Sequence, residues 1–177
     1  MLKNVSLKKY GSLNNEKTLE GSASKLGDWP WIVSLAKIGC TATIIGEKWI
    51  LTAAHCVSNN VGVIIYANTV ERTKGKNITV EKVFVHPKWN LSTISDDLAL
   101  IKCIPKKKFV HAWYGDSGGP LMQIYKGRFY EVGITSWGST KDQKPVSNHS
   151  DLEDIFTLVP AYCDWIAEAT NGDVKCE

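Results

Sequence analysis

Short apolar runs separated by polar punctuation recur along the chain and restrict it to a β architecture. They read WIVSLAKI (31–38), TATIIGEKWILT (41–52), VGVIIYA (61–67), NITVEKVFV (77–85), LALIKCI (98–104), RFYEVGITSW (128–137) and DIFTLV (154–159). Val, Ile, Thr and aromatic residues dominate them, and these side chains suit a pleated, half-buried surface. Gly46 places a turn inside the second run, which therefore reads as a hairpin. Only the C-terminal end departs from the pattern. There Tyr162, Trp165, Ile166 and Ala169 share one helical face and Gly172 suits a helix end. The expectation is an all-β chain finished by one helix, with no internal repeat.

A chain of 177 residues buries a real core and suits one domain or two small packed halves. Its 21 Lys+Arg against 18 Asp+Glu give a net charge of only +3, dispersed except at Lys106, Lys107 and Lys108. That balance excludes nucleic acid as the main partner and makes the lysine triplet a solvated loop. No apolar run is long enough to span a membrane. Five cysteines without a CxxC pair argue against structural zinc, and the chain is expected to need no cofactor. Glycosylation sequons at Asn4, Asn77, Asn90 and Asn148, together with cysteines able to pair, favour a secretory route and an extracellular protein. The first 17 residues carry no apolar segment of the signal-peptide kind, and are read as a propeptide-like or misplaced start.

The stretch HAWYGDSGGPLMQ (111–123) sets Ser117 among glycines. Paired glycines let a backbone turn tightly beside a substrate, yet Gly, Asp, Ser and Pro dominate ordinary turns too. A serine hydroxyl becomes a nucleophile only when a base takes its proton and a third group orients the base. A base is available in LTAAHC, where His55 follows an apolar strand. Cys40 and Cys56 bracket the hairpin leading to it, so a disulfide between them would pin the loop that carries the histidine. SDDLALIKC places Asp96 and Asp97 at the mouth of a buried strand. One of the two is an exposed strand-start residue; the other turns inward, stays ionised and holds the histidine tautomer.

LTAAHC, DDLALIK, GDSGGPL and VGITSWG, in that order, resemble the chymotrypsin and trypsin family of serine endopeptidases. GDWPWIVSL, VFVHPKWN and FTLVPAYCDWI agree, and the likeness covers about residues 17–170. The resemblance implies two packed antiparallel β-barrels with the reacting residues between them. It implies His55 as general base, Ser117 as nucleophile, Asp97 as orienter, and backbone N–H groups of Gly115 and Ser117 as oxyanion donors. Ser136, Trp137 and Gly138 resemble the strand edge that pairs with a polypeptide substrate. Protein inhibitors of such enzymes are further expected partners.

The chain also departs from that pattern. Only residues 98–116 separate Asp97 from Ser117, an interval several times longer in the family, where it supplies the interbarrel crossing and the first strands of the second barrel. The expected division is thus residues 18–104 as a first barrel carrying His55 and Asp97. Residues 105–177 are a truncated second barrel carrying Ser117, plus the helix. Three strands are too few to close a barrel and leave apolar faces to be covered. Trp113 stands where the family has a cysteine, and SWGSTKDQKP lacks its partner. Cys163 and Cys176 are then expected to pair and Cys103 to be left over. Family zymogens are cut after a basic residue, here Lys17, but Thr18 begins a polar TLEG where an apolar terminus would enter the pocket and meet Asp116. His111 and Asp154 align near the base of the specificity pocket. Three functional readings follow: a secreted serine endopeptidase working through an acyl-enzyme, a non-catalytic homologue that binds through the cleft, and an incomplete gene model of an active protease.

Overall fold

A computed structural model describes residues 25, 27–36, 39–59, 62–67, 69, 74–104, 117–138, 140–141, 144–145 and 154–177, with backbone alone at 140–141, 144–145 and 154. The all-β reading holds. Strands β1 (Ile32–Leu35), β2 (Cys40–Ile44), β3 (Trp49–Thr52), β4 (Ile65–Ala67), β5 (Lys76–Ile78), β6 (Val80–Val85) and β7 (Ala99–Cys103) form one antiparallel sheet in the order β5-β4-β1-β2-β3-β7-β6. Its edge strands β5 and β6 are consecutive in the chain and joined by Thr79 alone. Ile78 and Val80 are only two Cα steps apart, at most about 7 Å, so the two edges of a seven-stranded sheet meet and the sheet is rolled into a nearly closed barrel. The roll explains the sequence pattern: β1, β3 and most of β2 and β7 are buried on both faces and read as continuous apolar runs rather than alternating ones.

The second half of the chain makes a smaller sheet. Strands β8 (Pro120–Tyr125), β9 (Arg128–Gly138) and β12 (Asp154–Leu158) pair in the order β12-β9-β8, beside a two-stranded ribbon of β10 (Thr140–Lys141) and β11 (Lys144–Pro145). A 3-10 turn at Val159–Tyr162 leads into helix α1 (Cys163–Ala169). The Thr170 hydroxyl donates to the Ile166 carbonyl at 2.7 Å, and Gly172, at φ 79°, donates its N–H to Ala167 at 2.8 Å, so the helix ends as its sequence indicates.

Both halves share one core. Ile134 of β9, Val159, Ile166 of α1 and Val174 join Val33, Leu35, Leu51, Leu100 and Ile101 of the barrel. The tail is also tied to β3: Trp49 Nε1 donates to Asp173 at 3.0 Å, and Lys48 pairs with the same carboxylate at 2.8 Å. A second cluster packs Trp29 edge to face on Trp31 and Phe129, with the Trp31 and Phe129 rings tilted against each other, at centroid distances of 5.3–5.8 Å. The three-stranded sheet does not close among the described residues, and Ile124 (62% exposed), Tyr125 and Leu158 (60%) stand in solvent on it.

Disulfides link Cys40 to Cys56 and Cys163 to Cys176, with Cα separations of 6.1 and 5.7 Å, while Cys103 is a buried thiol. Burial, with Glu81 nearby, pushes that thiol up to about 12, which makes it inert as a nucleophile. Non-reducing peptide mapping should recover those two linked pairs, with Cys103 alkylated only after unfolding. Alkylation of Cys40 or Cys56 in oxidised, folded protein would contradict this pairing.

Candidate active site

The site is assembled at the junction of the barrel and the second sheet. His55 lies in a 3-10 turn at Ala54–Cys56 that follows β3 directly, and the Cys40–Cys56 bridge staples this turn to the start of β2. Asp97 is fully buried just before β7. The chain reaches it through Asp96, a non-glycine residue at φ 55°, so the backbone turns sharply and aims the second aspartate inward. This separates the two carboxylates: Asp96 stays partly exposed, 3.6 Å from His86, while Asp97 faces His55.

Asp97 and His55 are joined twice. The His55 backbone N–H donates to Asp97 Oδ1 at 2.9 Å, and His55 Nδ1 lies 2.7 Å from Oδ2. Ser136 of β9 donates its hydroxyl to the same Oδ2, and the Thr157 hydroxyl of β12 donates to the Asp97 carbonyl at 2.9 Å. Burial pushes the Asp97 carboxyl up, but the hydrogen bonds from the His55 ring, Ser136 and the His55 backbone outweigh it and hold the group below the usual carboxylate range. An ionised Asp97 fixes the proton on Nδ1 and leaves Nε2 as the basic nitrogen. His55 is a quarter exposed, and its Nε2 lies 3.4 Å from Cys56 Sγ.

Ser117 is half-buried at the opening of a turn strapped to both sheets. Its carbonyl accepts from Thr41 N of β2 at 2.8 Å, Gly118 N donates to Thr135 O at 2.8 Å, and Thr135 N donates to Gly119 O at 2.8 Å. Gly118 has φ 77°, and a Cβ there would stand 2.3 Å from Thr52 Oγ1 and 2.5 Å from the Thr41 carbonyl oxygen. The glycine directly after Ser117 is therefore required by contact with the barrel as well as by backbone angle. Among the described residues Ser117 makes no side-chain hydrogen bond to His55.

Residues Ser136, Trp137 and Gly138 pair with β12 along one edge through Trp137 and Gly138. The β8 ladder on the other edge starts at Ile134 and is prolonged to Thr135 by the Gly118–Gly119 turn, so 136–138 run past the end of β8 beside Ser117. Trp137 is exposed there. Gly115, Lys17, Thr18, Asp116 and His111 lie outside the described residues; Asp154 pairs with Gly138 through its backbone.

In the sequence Ser136 reads only as a strand edge and Gly118 only as one of a turn-forming glycine pair, and neither Thr157 nor Glu131 stands out. Ser136 and Thr157 reach Asp97 across 39 and 60 residues, a separation with no local signal. Glu131 of β9 is buried, receives the Thr43 hydroxyl at 3.3 Å, and keeps Oε2 without a partner among the described residues. A charged residue inside an apolar run is its only trace in the sequence.

The family model described as trypsin matches in two segments, residues 18–112 and 103–166, which meet in the short interval between Asp97 and Ser117. Transmembrane protease serine 11G of Rattus norvegicus is 24% identical over 237 positions, covering 86% of this chain and 55% of that protein. Coagulation factor XI of Bos taurus is 25% identical over 241 positions, covering 86% of this chain and 37% of that protein. Both alignments run longer than the 177 residues available, so these relatives carry positions with no counterpart here. The chain spans about half the length of the first of these relatives and less of the second. Matched over most of its length by one family model and folded as that family's all-β scaffold, the chain belongs to the trypsin family.

Proposed function

We propose that the chain is a serine endopeptidase in which Ser117 attacks a peptide carbonyl, His55 Nε2 takes its proton, and Asp97 orients and stabilises the imidazolium. The proton then passes to the leaving amine, and water, activated by the same nitrogen, hydrolyses the acyl-enzyme. Backbone N–H groups of Gly115 and Ser117 would receive the oxyanion, and the edge of Ser136, Trp137 and Gly138 turned away from β12, unpaired among the described residues, would take the substrate as an added strand. The observation that carries this reading is the buried, ionised Asp97 bonded to both the ring and the backbone of His55. A polypeptide substrate, protein inhibitors as further partners, a secreted location and activation between Lys17 and Thr18 with Asp116 as the acceptor belong to the same proposal. So does the division into residues 18–104 and 105–177. Asn77 and Asn90 are exposed, as glycan acceptors must be. Among the described residues no helix is long and apolar enough to cross a membrane.

A second reading has its own support. Among the described residues His55 Nε2 sits against the Cys56 sulfur rather than a serine oxygen, and the second sheet has three strands. On this reading the chain binds polypeptides in the cleft without turning them over. A fluorophosphonate probe separates the two. We expect labelling of Ser117 alone, lost in Ser117→Ala and His55→Ala, and slowed on the order of 10⁴-fold in Asp97→Asn, the scale known for this triad. Peptide turnover should lie far below that of a full-length relative and recover when a family-like segment is restored between Cys103 and Trp113. Absence of labelling in the restored chain would establish the binding role instead, and labelling that survives His55→Ala would remove His55 as the base.

A further inference from the structure

We propose that Thr157 is a positioning residue that locks the Asp97 peptide and thereby fixes the aim of His55. This rests on the reading of Asp97 as the orienter and extends it to the second sheet. Asp97 precedes β7 and lies outside the strand ladder, so no neighbouring strand binds its carbonyl. The residue is nonetheless fully buried, and a buried carbonyl needs a donor. Thr157 Oγ1 is that donor, at 2.9 Å, from a threonine that is itself buried on β12.

The bond matters because of what stands on either side of it. Asp96 is held at φ 55°, and its carbonyl accepts the Leu98 N–H at 2.9 Å across Asp97. Rotation about the Asp96 N–Cα bond would bring Asp96 to an ordinary backbone angle and would carry the whole of Asp97 with it, swinging the carboxylate away from His55. Thr157 opposes that rotation from one strand, while Ser136 holds the carboxylate from the adjacent strand β9. The truncated second sheet thus grips Asp97 at both ends, carbonyl and carboxylate. A β-branched side chain suits this task because its hydroxyl has few rotamers to lose.

The test uses the full chain. The low-field proton NMR signal of the His55 Nδ1–H bonded to Asp97 reports the aim of the dyad without requiring turnover, and His55→Ala identifies it. In Thr157→Val that signal should vanish or move upfield, and Ser117 labelling should slow at least about tenfold, as small misplacements at reacting groups do. Thr157→Ser should restore both. A purely structural role would lower the denaturation midpoint of Thr157→Val and leave the signal where it was, which would overturn the proposal. If Thr157→Val does not fold, Thr157→Ser decides: the signal at its native position upholds the proposal, and its loss despite the retained hydroxyl overturns it. If no form is labelled, the nucleophile assignment fails while the NMR signal still decides the role of Thr157.

Discussion

Raising the pH from about 4.5 to about 8 should weaken the folded state, and Glu131→Gln should remove that loss. Glu131 is fully buried, and burial pushes its carboxyl up to about 8, against only the Thr43 hydroxyl acting to lower it. No charged group among the described residues faces it closely enough to oppose this. In the unfolded chain the group ionises near its ordinary 4.5. Between those two values the folded state binds more protons than the unfolded one, so stability falls as pH rises, by up to about 1.4 kcal/mol per pH unit. Below the lower value both states are protonated and nothing is lost; above the upper one both are ionised and the loss is complete, on the order of 3–5 kcal/mol. His86, which burial holds below its usual value, acts with the opposite sign near pH 6.5: the unfolded state binds the extra proton, so stability rises with pH there. Asp97 contributes stability that is lost only as pH falls below the ordinary carboxylate range. The difference between urea unfolding curves of the native chain and Glu131→Gln therefore isolates Glu131. Parallel curves across this range would refute the assignment. Because Glu131 lies on β9 and its bond crosses to Thr43 on β2, the effect should appear as loosening of the second sheet from the barrel.

Gly118→Ala should be the most damaging single substitution in the Ser117 turn. The residue sits at φ 77°, which costs an L-amino acid roughly 1–2 kcal/mol. Its new Cβ would stand 2.3 Å from Thr52 Oγ1 and 2.5 Å from the Thr41 carbonyl oxygen. The first neighbour has some freedom, but the second is main chain of β2, where Thr41 is held in register with Ser34 of β1. The turn must yield instead, breaking the bond from Gly118 N to Thr135 O and carrying Ser117 with it. Destabilisation on the order of 3 kcal/mol or more is expected, with loss of fluorophosphonate labelling. Pairing it with Thr52→Ala should return only part of the stability, since the carbonyl clash remains. Native denaturation midpoints and labelling in Gly118→Ala would show that the turn is not held as described.

The β architecture was legible because it is written in local chemistry. β-branched and aromatic runs, a glycine in the hairpin and a helical face after Tyr162 each specify an element through the residues in it. The rolled sheet was less so: that β5 and β6 close on each other depends on one residue between two edge strands, which no propensity records. Likewise the shared core of barrel, α1 and tail arises from long-range packing.

By itself the sequence determined the order of His55, Asp97 and Ser117, the family whose motifs they carry, and the short interval of residues 98–116 between Asp97 and Ser117. Which of two adjacent aspartates turns inward was decided by the left-handed backbone at Asp96 and by donors 39 and 60 residues away. The clash that reserves position 118 for glycine and the proton held on Glu131 likewise belong to tertiary structure alone, whereas the pairing of Cys40 with Cys56 and of Cys163 with Cys176 was already expected from the sequence. The reason is physical: identity and order are properties of neighbours along the chain, whereas burial, hydrogen-bond supply and steric exclusion are set by residues that only folding brings together.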